Sequence, residues 1–307
     1  MIVTLTLNPA IDTTLRVDSL ASKTVKSKRS DVGGKGINVS NTLKALGVDS
    51  HAVLITAGAH GKTITDFLQA REISHHAFAV DGEIRENQKY IDDTTQAMEE
   101  VNAPGPHLSL NTLHAIQEYL DGLLQAKDVL VLTGSLPPGL PVSTYQNWIK
   151  RYKARDVYTV LDASNEALKK GIEAGPSLIK PNHHEWEMLF GKPFNEAPVQ
   201  PDLDRCHAWG IERVMITAGA NGAYASEGYG ILHQKALKLD VQSTVGAGDA
   251  FVAGAIMRRH EPIREQLRFA SAVASATTET AGTTPPTFEA VTTMMNRLYP
   301  QPIRRKQ

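Results

Sequence analysis

This chain of 307 residues has a single cysteine, no surplus of either charge sign and no long apolar run. Cys206 can form no internal disulfide, which fits a reducing compartment. Its setting, Asp204-Arg205-Cys206-His207, reads as a buried helix position rather than a catalytic thiol. With 32 Lys and Arg against 33 Asp and Glu, no overall field draws in nucleic acid or an anionic membrane. Any anion must therefore be held by a local arrangement. No apolar stretch approaches the ~18 residues of a membrane span. Residues 1–9 open as a strand, not as a basic and then apolar leader. A soluble, cytoplasmic protein with no nucleic-acid or membrane partner is expected. Repeats, low-complexity tracts and linkers are also missing, so nothing in the pattern divides residues 1–307. The basic run at 304–306 reads as a solvated tail.

What is present is alternation. Met1–Leu7, Ala52–Ile55, Val129–Leu132, Val157–Leu161, Leu178–Lys180 and Val214–Thr217 are short strand-like runs. Between them lie helical patterns, such as the stripe Leu113, Ile116, Leu120, Leu123 and Leu124, and the segments Val142–Lys150 and His184–Phe190. Short apolar strands separated by helices predict an α/β fold with a parallel sheet covered on both faces. Such sheets bind ligands beyond the carboxyl ends of their strands. Thr13–Val32 and Ile84–Val101 break the rhythm as polar, strand-like excursions. A small β lid and a pair of surface hairpins fit them equally well.

Four segments could carry chemistry. Ser243-Thr244-Val245-Gly246-Ala247-Gly248-Asp249 leads into an apolar helical run. Glycines there let N–H groups converge on an anion at a helix N-terminus. Asp249 reads equally as a helix cap or as a proton acceptor. Gly33-Gly34-Lys35-Gly36-Ile37-Asn38 is a glycine-rich turn opening a helix, with a charge and an amide alongside. Thr133-Gly134-Ser135-Leu136-Pro137-Pro138-Gly139 is a rigid, hydroxyl-bearing turn at a strand end. Lys180-Pro181-Asn182-His183-His184-Glu185 brings lysine, amide and carboxylate to another strand end, suited to phosphate and hydrated Mg²⁺. A fifth segment, Thr56 to Thr63, imitates a P-loop but has Thr56 where that motif needs glycine.

Taken together, these segments resemble the ribokinase/PfkB sugar-kinase family, in its phosphofructokinase-like branch. The resemblance runs in order through Thr6-Leu7-Asn8-Pro9-Ala10-Ile11-Asp12, Gly33 to Asn38, Arg85-Glu86-Asn87, Asn102 to Pro106, Gly134 to Gly139, Lys180-Pro181-Asn182 and Thr244 to Asp249. It implies one ribokinase-like, three-layer α/β/α domain over 1–307, with a β-strand lid near 13–32 and 84–101 that pairs two subunits into a homodimer. It implies ATP and Mg²⁺ as cofactors and a sugar phosphate as substrate. Fructose 1-phosphate comes first, ahead of tagatose 6-phosphate or fructose 6-phosphate; a non-catalytic sugar-phosphate sensor is the reading from another class.

Carried over position by position, the resemblance makes Asp249 the base and Gly246, Ala247 and Gly248 the anion hole. Asp12, Gly33, Gly34, Asn38, Asn87 and Ser135 fall on the sugar, and Lys35 with Arg85 on its phosphate. Lys180, Thr217, Gly219, Gly222 and Thr244 fall on the nucleotide, and Asn182 with Glu185 on Mg²⁺ through water. Ser243 departs from the aspartate of the ribokinase branch, where a monovalent cation binds.

Overall fold

Ile2–Thr6 (β1) is buried at all five positions, as a strand must be when helices cover both its faces. In this computed structural model, which describes residues 1–194, 200–228, 230–299 and 301–302, it lies inside a ten-stranded sheet. The basic run at 304–306 lies outside the described residues. After β1 the chain leaves that sheet for Ala10–Val17 (β2) and Val25–Gly33 (β3) and returns through Lys35–Ala45 (α1). His51–Thr56 (β4), Gly58–Ala70 (α2) and Ser74–Ala79 (β5) follow. A second departure makes Arg85–Asp92 (β6) and Met98–Val101 (β7).

Regular alternation then sets in. Its elements are Leu110–Leu123 (α3), Val129–Thr133 (β8), Thr144–Lys153 (α4), Tyr158–Asp162 (β9) and Asn165–Ile172 (α5). Leu178–Ile179 (β10), His183–Phe190 (α6), Gln200–Ala208 (α7) and Arg213–Thr217 (β11) continue it. Ala223–Ser226 (β12) and Leu232–Gln234 (β13) precede the helices Ala247–Met257 (α8), Ile263–Thr278 (α9) and Phe288–Arg297 (α10), and Gln301–Pro302 (β14) closes the described chain.

The large sheet has the order β14-β13-β12-β11-β10-β9-β8-β1-β4-β5. Every pairing from β5 to β11 is parallel, and β12 to β14 add an antiparallel margin. The α/β/α layering expected from the sequence follows from strand alternation. On β8, Val129 and Val131 face α1, α8 and α9, whereas Leu130 and Leu132 face the helices from α2 to α7. Cys206 lies in that second layer, where burial pushes its thiol up to about 12, so it is inert at neutral pH.

Because β1 sits between β4 and β8, the chain winds outward from it in both directions. That reversal opens a crevice at the carboxyl ends of β1 and β8. The small sheet, of order β3-β2-β6-β7, stands beside this crevice. Its β2 and β6 run parallel and bring Ala10 opposite Arg85 and Asp12 opposite Asn87.

Candidate active site

The chemistry gathers at the start of α8. Gly246 is the N-cap in the left-handed region, with φ of 77°, a conformation that strains any side-chain-bearing residue. The Ala247 N–H turns back to the Thr244 carbonyl at 3.3 Å. The Ala250 N–H takes the Gly246 carbonyl at 2.8 Å, while helix geometry leaves the N–H groups of Gly248 and Asp249 without an acceptor four residues back at the positive helix end, an arrangement suited to negative charge.

Asp249 is the third residue of that helix, but no side chain caps α8. Its carboxylate instead accepts from Asn38 Nδ2 of α1 at 2.8 Å. The cap reading therefore has no geometry behind it. The helix end alone would keep this group firmly ionised. In the fold, burial is the larger influence and pushes the carboxyl up to about 6; Asp162 adds to the rise, while Lys35 and Asn38 oppose it.

Beside it lies a charged triad that spacing did not reveal. Asp162, at the carboxyl end of β9, is wholly buried and takes Lys35 Nζ on both oxygens at 3.1 Å and Lys180 Nζ at 3.2 Å. Burial alone would raise the Asp162 carboxyl, but Lys180 and Lys35 override it and hold it below the usual carboxylate range. Burial likewise opposes charge on Lys35, yet Asp162, Asp249 and Glu185 hold its ammonium well above the ordinary lysine value. A Cβ on Gly248 would lie 3.6 Å from Lys180 Nζ, which puts that amine at the mouth of the anion site. Lys35, which the resemblance set on the sugar's phosphate with Arg85, is thus placed with Lys180.

Asn182 and Glu185 make a capping box on α6. Asn182 Oδ1 accepts from the Glu185 N–H at 2.9 Å, and Glu185 Oε2 from the Asn182 N–H at 2.8 Å. Among the described residues no group of three or more His, Cys, Asp or Glu is placed to hold a metal directly. Glu185 is nonetheless buried, keeps Oε1 clear of the box, and has its carboxyl raised by burial and by Asp162. A hydrated Mg²⁺ already bound to phosphates, which needs only one or two carboxylates, fits that donor.

The other wall of the crevice belongs to the small sheet. Asp12 on β2 accepts from Asn87 Nδ2 on β6 at 2.8 Å, and burial raises its carboxyl against the pull of Asn87 and Arg85. Arg85 at the head of β6 donates from Nη1 to the Ala103 carbonyl at 3.1 Å and from Nη2 to the Asn8 carbonyl at 3.2 Å. Its Nε is buried without a partner, as are Asn8 Oδ1 and Asn87 Oδ1. Burial lowers the guanidinium's proton affinity, which Asp12 partly restores. Ser135 Oγ receives Asn8 Nδ2 at 3.1 Å. Gly33 pairs with Ala10 at the end of β3, and Gly34 is the N-cap of α1.

Of the residues that the resemblance set on the nucleotide, Thr217 ends β11 and bridges to Asn182. Gly219 opens the short 3-10 turn Gly219–Asn221, and Gly222 closes it. Thr244 reaches the site through its carbonyl. The P-loop imitation is closed off, because the Glu83 carboxylate accepts the Ala59 and His60 N–H groups at 2.9 Å each and occupies the start of α2. Sequence reading gave Asn8 no role of its own and offered Asp162 only as the strand-end carboxylate of the P-loop imitation. The one local signal for Asp162 was a carboxylate closing an apolar strand run.

Comparison with known proteins bears on what this crevice serves. The model of the pfkB family carbohydrate kinases matches residues 2–290. The 1-phosphofructokinase of Bacillus subtilis is 33% identical over 283 residues, 90% of this chain and 92% of the relative. That of Xanthomonas campestris is 34% identical over 260 residues, 82% of each. Phosphofructokinase-2 from Escherichia coli, solved with substrates and products, superposes with a TM-score of 0.87 at 23% identity, covering 96% of this chain and 98% of that one.

Proposed function

Because this chain belongs to the pfkB family of carbohydrate kinases, we propose that it transfers the γ-phosphoryl group of ATP to the free primary hydroxyl of fructose 1-phosphate. As a member it is a phosphotransferase with an alcohol as acceptor. The observation that carries the mechanism is Asp249, buried at the open end of α8, free of capping duty and raised to about 6. A carboxylate with that affinity accepts a proton at neutral pH yet is basic enough to assist its removal.

The sugar enters along β2 and β6. Asp12 and Asn87 accept its hydroxyls, and the unpartnered Nε of Arg85 meets its phosphate. The free hydroxyl, held against Asp249, attacks the γ-phosphorus. As the new O–P bond forms, the hydroxyl proton passes to Asp249, and the bond to the β,γ-bridging oxygen breaks with its electron pair, leaving ADP. The transition state is loose, so positioning and charge stabilisation dominate. Lys35 and Lys180, held by Asp162, and the N-terminus of α8 neutralise the charge on the transferring group. Mg²⁺, when bound, neutralises phosphate charge, and Glu185 is the residue that would hold it through water.

Coupled ADP release tests the assignment. With fructose 1-phosphate, tagatose 6-phosphate, fructose 6-phosphate and fructose offered in turn, kcat/KM is expected to be highest for the first. Preference for tagatose 6-phosphate would move the assignment to that sugar, and turnover of none would leave a sensor.

The small sheet serves as lid and as the seam of a homodimer. Both its margins are exposed strands, and Val25, Met98 and Val101 are 50%, 62% and 49% exposed there. The charges on these margins (Lys26, Lys28 and Arg29 on one, Glu99 and Glu100 on the other) are ion-paired within the chain, so the exposed strand edges and apolar side chains are what a second subunit would cover. Sedimentation equilibrium should give the mass of a dimer, and placing lysine at both Met98 and Val101 should yield monomers. A wild-type monomer at micromolar concentration would contradict the seam.

A further inference from the structure

Arg29 of β3 joins the two walls of the crevice across 252 residues of chain. Its Nη2 donates to the Ala281 carbonyl at 3.0 Å, while Nε and Nη2, each at 2.9 Å, hold the Asp31 carboxylate in a fork. Gly282 makes the seat for this pair. Its φ is +61°, and a Cβ there would lie 2.5 Å from Asp31 Oδ2 and 2.6 Å from Arg29 Nη2. One residue on, Thr283 Oγ1 donates to the Val32 carbonyl of β3 at 3.4 Å. The Arg29 side chain is 45% exposed, so its ion pair adds little to stability. What matters is what it connects.

On β3, Asp31 lies opposite Asp12, and Asp12 opposite Asn87 of β6. Strand alternation therefore puts Arg29 and Asp31 on the face of the small sheet that carries Asp12 and Asn87. The segment after α9 leads instead to the anion site. Thr283 Cα is the atom a Cβ on Gly246 would meet, at 4.0 Å. The Thr278 carbonyl takes the N–H groups of Gln242 and Ser243, at 2.9 and 3.3 Å, on the run into α8. Arg29 thus fastens the wall with Asp12 and Asn87 to the segment beside the α8 N-cap. Resting on the kinase reading above, we infer that Arg29, seated on Gly282, is a positioning residue that couples the two substrates, so that each tightens the binding of the other. A sugar phosphate that orders the small sheet orders residues 281–283 with it, and ATP then meets a start of α8 already set. The second ligand is spared part of the ordering cost, and the gain is the same whichever binds first.

The test is calorimetric titration of a non-hydrolysable ATP analogue with Mg²⁺, in the absence and presence of saturating fructose 1-phosphate. For the wild-type enzyme the sugar phosphate should lower the analogue's Kd by roughly fivefold or more, the usual reach of coupling between sites. Arg29→Ala should bind each ligand alone with close to the wild-type Kd and show no coupling. Gly282→Ala, which pushes the fork off its seat from the other side, should lose the coupling as well. The two substitutions together should lose no more than either one, because they break the same contact. Wild-type Kd values indifferent to the second ligand would overturn the inference. So would an Arg29→Ala enzyme whose coupling persists, even with both Kd values raised, since Arg29 would then only shape the segment. The wild-type comparison decides the matter alone if neither variant folds. A wild-type enzyme that binds the analogue but neither binds nor phosphorylates fructose 1-phosphate would overturn the kinase reading itself, a distinguishable failure.

Discussion

Asp249→Asn should lose roughly 10²–10⁴ in kcat, the usual contribution of a general base, while KM for either substrate changes little. The amide keeps the size of the side chain and still accepts from Asn38, whose 2.8 Å bond is to one oxygen only. What it cannot do is take the hydroxyl's proton. Stability should move the other way. The ordinary aspartate value is 3.8, and the folded value is about 6. A carboxyl raised in this way adds stability below the lower value and loses it as pH rises through the upper one. At pH 7 the native enzyme therefore holds an ionised group its surroundings disfavour, and the neutral variant does not. Thermal melting at pH 7 should show Asp249→Asn equal to or above wild type. In the free enzyme the same value sets the acid limb of kcat/KM, which should fall as pH drops through about 6. A variant with near-normal kcat would remove Asp249 from the mechanism.

Arg85→Ala is the second large effect, and it should appear in KM. Truncating a buried, hydrogen-bonded charge partner costs about 2–5 kcal/mol. That corresponds to a KM for the sugar phosphate raised between about 30-fold and a few thousandfold. ATP binding should be nearly unchanged, because the charge acting on Arg85 is Asp12, whereas Asp162, Asp249 and Glu185 act on Lys35. Arg85→Lys should recover only part of the loss, since a single ammonium cannot hold two carbonyls and still present a third donor. Equal weakening toward fructose and its phosphate would show that Arg85 does not read the phosphate.

Much of the body was legible because its signals are local. The runs that became β8 to β11 are apolar at most of their positions, and the stripe of α3 repeats at helical spacing. Boundaries were less so. The segment read as a helix from Val142 starts at Thr144, because Pro141 to Thr144 forms a turn in which the Thr144 N–H and hydroxyl both bond the Pro141 carbonyl. The antiparallel margin of β12 to β14 lacks the apolar length that marked the inner strands and went unread.

The segment around Asp249 stood out through its glycines, but its partner could not, since Asn38 lies 211 residues away. Lys35 and Asp162 are 127 apart, as are Asn8 and Ser135. No periodicity encodes such pairs. They exist because parallel strands bring their carboxyl ends to one edge.

The two sheets divide the labour. Asp12, Arg85 and Asn87 belong to the small one, whereas Asp162, Lys180 and Asp249 belong to the large one and its helices. Each set is braced internally, by the β2–β6 register on one side and the Lys35–Asp162–Lys180 contacts on the other. On the reading proposed above, the sugar engages the first set and ATP the second, so ATP offered without sugar should be hydrolysed far more slowly than the sugar is phosphorylated, which ADP release with ATP alone would check. The same division would make sugar choice separable: exchanging residues on β2 and β6 should retune selectivity while leaving the Lys35–Asp162–Lys180 contacts as they are.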